Sequence, residues 1–174
     1  VCDDADLEQA VHNALVGTLT SAGQLCMAAE RIYVFDAVHD EFVAMAARIV
    51  GQLRQGNPLG ELKVDVGAMT MPGQVDIVER LVNDAVARGA RALVGGKRSP
   101  TGQFFEPTVL IDVDHSMAIM REETFGPVMA IMRVRDEHEA IALANDCAYG
   151  LSSSVFTRDH ARGERIARQI VAGS

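Results

Sequence analysis

The stretch Val75-Asp76-Ile77-Val78-Glu79-Arg80-Leu81-Val82-Asn83-Asp84-Ala85-Val86-Ala87-Arg88-Gly89-Ala90-Arg91-Ala92-Leu93-Val94-Gly95-Gly96 carries two structural periods in succession. Val75, Val78, Leu81, Val82, Ala85 and Val86 recur at the spacing of one helix face, which ends near Gly89. Arg91-Ala92-Leu93-Val94 follows as a short apolar run, and Gly95-Gly96 turns the chain. A helix leading straight into a short apolar strand is the repeating unit of an α/β fold.

The alternation extends to both sides. Leu7, Ala10, Val11, Ala14, Leu15 and Leu19 predict a first helix, with Asp3 or Asp4 placed to cap it and Asp6 and Glu8 in its positive first turn. Val1-Cys2-Asp3-Asp4 reads as the end of a strand. Arg31-Ile32-Tyr33-Val34-Phe35 is rich in β-formers, and Phe42, Met45, Ala46, Ile49, Val50 and Leu53 predict a second helix. That helix stops before the Gly56-Asn57-Pro58-Leu59-Gly60 loop, because proline and glycine cannot continue it. Beyond Gly96, Phe104-Phe105 and Val109-Leu110-Ile111 read as extended, with Pro107 tolerated at an edge or in an irregular strand. Residues 129–134 predict a strand, 136–145 a helix, Ser154-Val155-Phe156 a strand and 159–171 a final helix. The expected fold is α/β: an open, mostly parallel sheet flanked by helices on both faces.

Bulk properties narrow the function. The chain has 174 residues, 48% hydrophobic and 23% charged, which is enough to bury one sizeable core. A net charge of -8 repels nucleic acid and anionic lipid, so neither is an expected partner. Three cysteines, Cys2, Cys26 and Cys147, without a CxxC pair, fit neither a disulfide framework nor a zinc ribbon, and a reducing compartment, the cytoplasm, is expected. No apolar run approaches the roughly 18 residues that span a bilayer. His12, His39, His115, His138 and His160 are scattered without ligand spacing, so no metal site is expected.

Two segments carry chemistry. Gly23-Gln24-Leu25-Cys26 sits in the junction between the first helix and the strand at Arg31, where a thiol on a glycine-containing turn can reach a carbonyl carbon. A free cysteine is more often a small buried filler than a nucleophile, and Cys2 and Cys147 take that reading. Glu122-Glu123-Thr124-Phe125-Gly126-Pro127-Val128 joins two carboxylates, an aromatic ring and a Gly-Pro bend. A carboxylate accepts hydrogen bonds from two ribose hydroxyls, and an aromatic ring packs on a flat nicotinamide. A solvated acidic turn anchored by a buried Phe is the plainer alternative. Adjacent carboxylates on extended backbone point to opposite faces and make poor acid/base partners.

Taken in order, Gly-Gln-x-Cys26, then Glu30-Arg31-Ile32-Tyr33-Val34, then Glu122-Glu123-Thr124-Phe125-Gly126-Pro127-Val128, Asn145-Asp146-x-x-Tyr149-Gly150-Leu151 and Val155-Phe156-Thr157 resemble the aldehyde dehydrogenase superfamily across the whole chain. Asp4-Ala5-Asp6-Leu7-Glu8-x-Ala10 is similar to the family's segment just before the nucleophile. The resemblance implies that Cys26 is the nucleophile and its backbone N–H one oxyanion donor, that Glu123 holds the nicotinamide ribose of NAD or NADP, and that Phe125 lines that end of the cofactor. It further implies that Glu122 is structural, that Gly126 and Pro127 set the bend presenting Glu123 and Phe125, and that Asn145, Gly150 and Leu151 pack behind the active site.

The family's general-base glutamate lies in a Glu-Leu-Gly-Gly-Lys motif that does not occur in these residues. Nor does a Gly-rich turn opening a helix occur: Gly95-Gly96-Lys97 is followed by Arg98-Ser99-Pro100. The resemblance therefore implies a catalytic domain spanning residues 1–174, incomplete at both ends. The dinucleotide-binding domain, the asparagine of the oxyanion hole and the oligomerisation arm belong elsewhere in a homo-oligomeric enzyme, and the 174 residues alone are expected to lack turnover. The substrate implied is a small-molecule aldehyde, with Glu30-Arg31-Ile32-Tyr33-Val34 resembling succinate-semialdehyde dehydrogenases. A CoA-acylating semialdehyde dehydrogenase, a thioesterase acting through Cys26 alone, and a non-catalytic module of the same fold are the alternatives. For the last, Arg158, Arg162, Arg165 and Arg168 could meet an acidic partner, against the simpler expectation of a solvated face balanced by Asp159 and Glu164.

Overall fold

The computed structural model describes residues 1–60 and 63–174. Helices α1 (Leu7–Leu19) and α2 (Asp36–Val50) flank strand β1 (Arg31–Phe35), and α3 (Pro72–Ala87) leads into β2 (Arg91–Val94). Strands β3 (Thr108–Ile111) and β4 (Val128–Val134) follow, then α4 (Glu137–Asn145) and α5 (His160–Ala167). The strands form one sheet in the order β1-β4-β3-β2. β1 and β3 run parallel to β4, while β2 pairs antiparallel with β3, so the sheet is open and mostly parallel as expected.

Burial on both faces explains why the central strands read as continuous apolar runs. On β4, Met129 and Ile131 join Val11, Leu15, Phe42 and Ala46 of α1 and α2. Their neighbours Val128 and Ala130 point the other way, onto Val75, Val78, Leu81 and Val82 of α3. Each fully buried Leu, Val or Phe contributes about 1.5–3 kcal/mol by leaving water. A third cluster packs Phe35, Val134 and Ile166 of α5 with Cys2. Among the described residues, no helix is long and apolar enough to cross a membrane.

The structure corrects several boundaries. Asp6, not Asp3 or Asp4, caps α1: its carboxylate accepts from the Gln9 N–H at 3.2 Å. Asp4 is held elsewhere, accepting from the Thr157 hydroxyl and from the N–H groups of Arg158 and Asp159 ahead of α5. Val1 does continue the sheet beyond β1, its amine donating to the Tyr33 carbonyl while its own carbonyl accepts from the Phe35 N–H. Ser154-Val155-Phe156 forms no ladder strand; its tie here is the Cys2 N–H donating to the Phe156 carbonyl. The last helix stops at Ala167 rather than 171, because the Asn145 side chain takes the Gln169 carbonyl and the Val171 N–H, each at 2.8 Å, and draws the chain off the helical path. Phe105 makes only an isolated bridge to Arg98.

Candidate active site at the amino ends of β1 and β4

Parallel neighbours enter the sheet from the same end. Because Arg31 of β1 lies opposite Ala130 of β4, the segments leading into these strands come together. One carries Cys26 and the other carries Glu122, Glu123 and Phe125. Open α/β sheets more often place their sites beyond the carboxyl ends of the strands, whereas this candidate site lies at the amino ends.

The turn that carries Cys26 is built from unusual backbone. After α1, Ser21 and Ala22 adopt φ of 54° and 56°, and Gly23 follows at 74°. Left-handed conformations in non-glycine residues cost of order 1–3 kcal/mol and persist where surrounding contacts impose them. Here the Gln24 side chain imposes part of the shape, its amide donating to the Ser21 carbonyl at 2.8 Å and its oxygen accepting from the Thr70 N–H at 2.7 Å. A β-turn follows, closed by the Ala28 N–H on the Leu25 carbonyl at 3.0 Å, which puts Cys26 at an exposed corner. The turn is moored to α1 by the Ala29 N–H on the Gly17 carbonyl and by the Thr18 hydroxyl on the Ala29 carbonyl. Among the described residues, nothing accepts from the Cys26 N–H, which leaves that donor available to a ligand oxygen.

The second segment is locked onto the first. Gly23 packs directly on Gly126, and the Glu30 carboxylate accepts from the N–H groups of Thr124 at 3.0 Å and Phe125 at 2.7 Å. Burial pushes the Glu30 carboxyl above its usual range, the two N–H groups work against that shift, and the Glu123 charge adds to it. Phe125 is held at a φ of 46°, and the Gln74 amide fixes the Thr124 carbonyl at 2.9 Å. Glu122 turns away to pair with Arg80 at 2.6 Å, in keeping with a structural role. Glu123 forms no ion pair among the described residues and lines a cavity of about 670 Å³ that Cys26 also lines.

The structure therefore brings Cys26 and Glu123 to one cavity, together with Glu30, Gly150 and Leu151, while Phe125 lies outside its lining. Asn145 ties the segment behind that wall to the end of α5. Glu30 as a clamp was not foreseen: a carboxylate at a strand entrance looks solvated in sequence. The arginines in and just after α5 pair within the chain, Arg162 with Asp3, Asp4 and Glu137, Arg165 with Glu137 and Arg168 with Glu164. No metal-holding cluster occurs among the described residues.

An exposed thiol on a rigid turn, an open backbone donor beside it and an unengaged carboxylate across the cavity define a site suited to covalent chemistry on a small electrophile. The aldehyde dehydrogenase family model matches residues 1–174, and the chain belongs to that family. It is 42% identical over 173 residues to a glutarate-semialdehyde dehydrogenase of Pseudomonas putida, covering 99% of this chain and 36% of that protein. The succinate-semialdehyde dehydrogenase from Burkholderia pseudomallei superposes with a TM-score of 0.96 at 37% identity, over 99% of this chain and 36% of that one. Betaine aldehyde dehydrogenase from Staphylococcus aureus, solved in complex with NAD+, gives 0.92 at 39% identity over 98% and 35%. The chain thus spans about a third of the length of the relatives it matches.

Proposed function

We propose that the whole protein oxidises an aldehyde to a carboxylic acid with NAD or NADP, and that Cys26 is its nucleophile. The observation that carries this reading is the shared cavity of Cys26 and Glu123. In the proposed sequence the Cys26 thiolate adds to the aldehyde carbon, and the resulting oxyanion is stabilised by the open Cys26 N–H. The nicotinamide, when bound, supplies the acceptor for the hydride that leaves the former aldehyde carbon. A thioester on Cys26 remains, and water activated by a base releases the acid. Glu123 fits the ribose of that cofactor because its carboxylate is unengaged while Glu122 is paired to Arg80 and Glu30 to two backbone N–H groups. Phe125 would border the same end from beside the cavity.

The relatives named above act on semialdehydes carrying a carboxylate and on betaine aldehyde, so the proposal is made for an aldehyde of unspecified charge. The family resemblance extends it to a homo-oligomer, and the free thiols fit a reducing compartment such as the cytoplasm. Without a Glu-Leu-Gly-Gly-Lys base among them, the 174 residues alone are expected not to turn over. Cys26→Ser in the whole protein tests the central claim: NAD(P)H formation with propanal or succinic semialdehyde should fall roughly a thousandfold or more. A retained rate would overturn it.

A further inference from the structure

The two halves of the candidate site are anchored by separate bonds. The Cys26 turn hangs on α1 through Gly17, Thr18 and Ala29, whereas the segment bearing Glu123 and Phe125 is held by the Glu30 carboxylate, with the Gln74 amide on the Thr124 carbonyl and the packing of Gly126 on Gly23 beside it. Glu30 uses one oxygen per donor, Oε2 for the Thr124 N–H and Oε1 for the Phe125 N–H. Such a fork suits a carboxylate and no neutral side chain, because an amide of the same shape offers one acceptor and one donor. The donors belong to the two residues that follow Glu123, so their position sets where its side chain enters the cavity. The Phe125 backbone is left-handed, a conformation that a bulky residue keeps only when something holds it.

We propose that Glu30 is a positioning residue that fixes Glu123 and Phe125 relative to Cys26 and so sets how the nicotinamide end of the dinucleotide is held. The proposal rests on the reading of Glu123 as the ribose-binding carboxylate. Its distinguishing property is that it separates cofactor placement from nucleophile placement: loosening Glu30 should release the 122–127 segment and leave the Cys26 turn where α1 holds it.

The test has two parts. In the 174-residue chain, amide hydrogen exchange followed by NMR should show the Thr124 and Phe125 N–H groups protected, with protection falling about tenfold or more in Glu30→Ala. Glu30→Gln keeps the volume and one acceptor, so one of the two amides should recover, and the rate of Cys26 alkylation by iodoacetamide should match wild type in both variants. In the whole protein, Glu30→Gln should raise KM for NAD or NADP about tenfold while leaving KM for the aldehyde unchanged. Wild-type protection of both amides in Glu30→Ala, no recovery of either amide in Glu30→Gln, an unchanged KM for NAD or NADP in Glu30→Gln, or a change in Cys26 alkylation as large as the change in exchange would each overturn the proposal. A whole protein in which Glu123→Gln leaves KM for NAD or NADP unchanged would instead overturn the reading of Glu123, because the exchange result does not depend on it.

Discussion

Gly23 and Gly126 meet backbone to backbone: a Cβ built on Gly23 would sit 2.1 Å from the Gly126 carbonyl oxygen. The same position has a φ of +74°, so two independent costs oppose any side chain there. Gly23→Ala would push the Cys26 turn off the 122–127 segment, and the clash is with backbone that cannot rotate away. A loss of about 2 kcal/mol or more is expected, read as a lower urea midpoint with an unchanged slope. A variant as stable as wild type would show that the close approach is not part of the folded chain in solution.

The three thiols should react in an order set by their surroundings. Cys26 is exposed, whereas Cys2 is only 2% exposed and burial pushes its thiol above the usual range. Cys147 is intermediate and its Sγ contacts the Tyr149 carbonyl oxygen at 3.0 Å. Iodoacetamide should label Cys26 first, Cys147 more slowly, and Cys2 only on unfolding. Peptide mass spectrometry over a time course checks the order, and early labelling of Cys2 would contradict the packing of the third core cluster.

Much of this organisation could be read from residue order, and the exceptions share a physical origin. The Val75 face and the run at Arg91 are local periodicities, and α3 and β2 appear where those periods place them. Gly23 and Gly126 were legible as turn chemistry, although their mutual contact was not. Glu30 was silent because its partners lie 94 and 95 residues away and only the pairing of β1 with β4 delivers them. The cap of α1 was misplaced for a related reason. The expectation put the cap at Asp3 or Asp4 and Asp6 inside the first turn, but all three are chemically equivalent, and Asp6 takes the cap once Thr157 and the start of α5 claim Asp4. Ser154-Val155-Phe156 has the composition of a strand but lacks a ladder of backbone partners among the described residues. Composition is local; partners are not.

Asn145 holds the end of the chain with both ends of its amide, donating to the Gln169 carbonyl and accepting from the Val171 N–H at 2.8 Å each. Alanine at this position removes both bonds and leaves two backbone groups to water. The segment after Arg168 should then open more often, and tryptic cleavage after Arg168 should speed up about tenfold under native conditions. Unchanged cleavage would mean that the contact between Gly150 and Val171 holds the segment by itself.

Part of the chain's acid sensitivity should come from His115, beside that of the buried Val1 amine, whose pKa burial lowers to about 6. The His115 Nε2 lies 2.9 Å from the Tyr33 hydroxyl and its Nδ1 3.2 Å from Asp146, which also pairs with Arg121. Burial holds the imidazole below its usual pKa and the Asp146 carboxylate pulls the other way, while the charges of Arg121 and Arg31 add to the lowering. Burial also pushes the Tyr33 hydroxyl up to about 12, so it stays a neutral partner throughout. A lowered folded-state value means that the unfolded chain takes the proton first as pH falls. The stability contributed by neutral His115 is therefore complete above about 6.5 and is lost as pH drops from there through the folded value. Wild type should lose more stability between pH 7.5 and pH 5.5 than His115→Gln, whose amide can still partner the Tyr33 hydroxyl but cannot gain a charge. Urea midpoints for the two proteins at both pH values decide it, and equal losses would place the acid-sensitive group elsewhere.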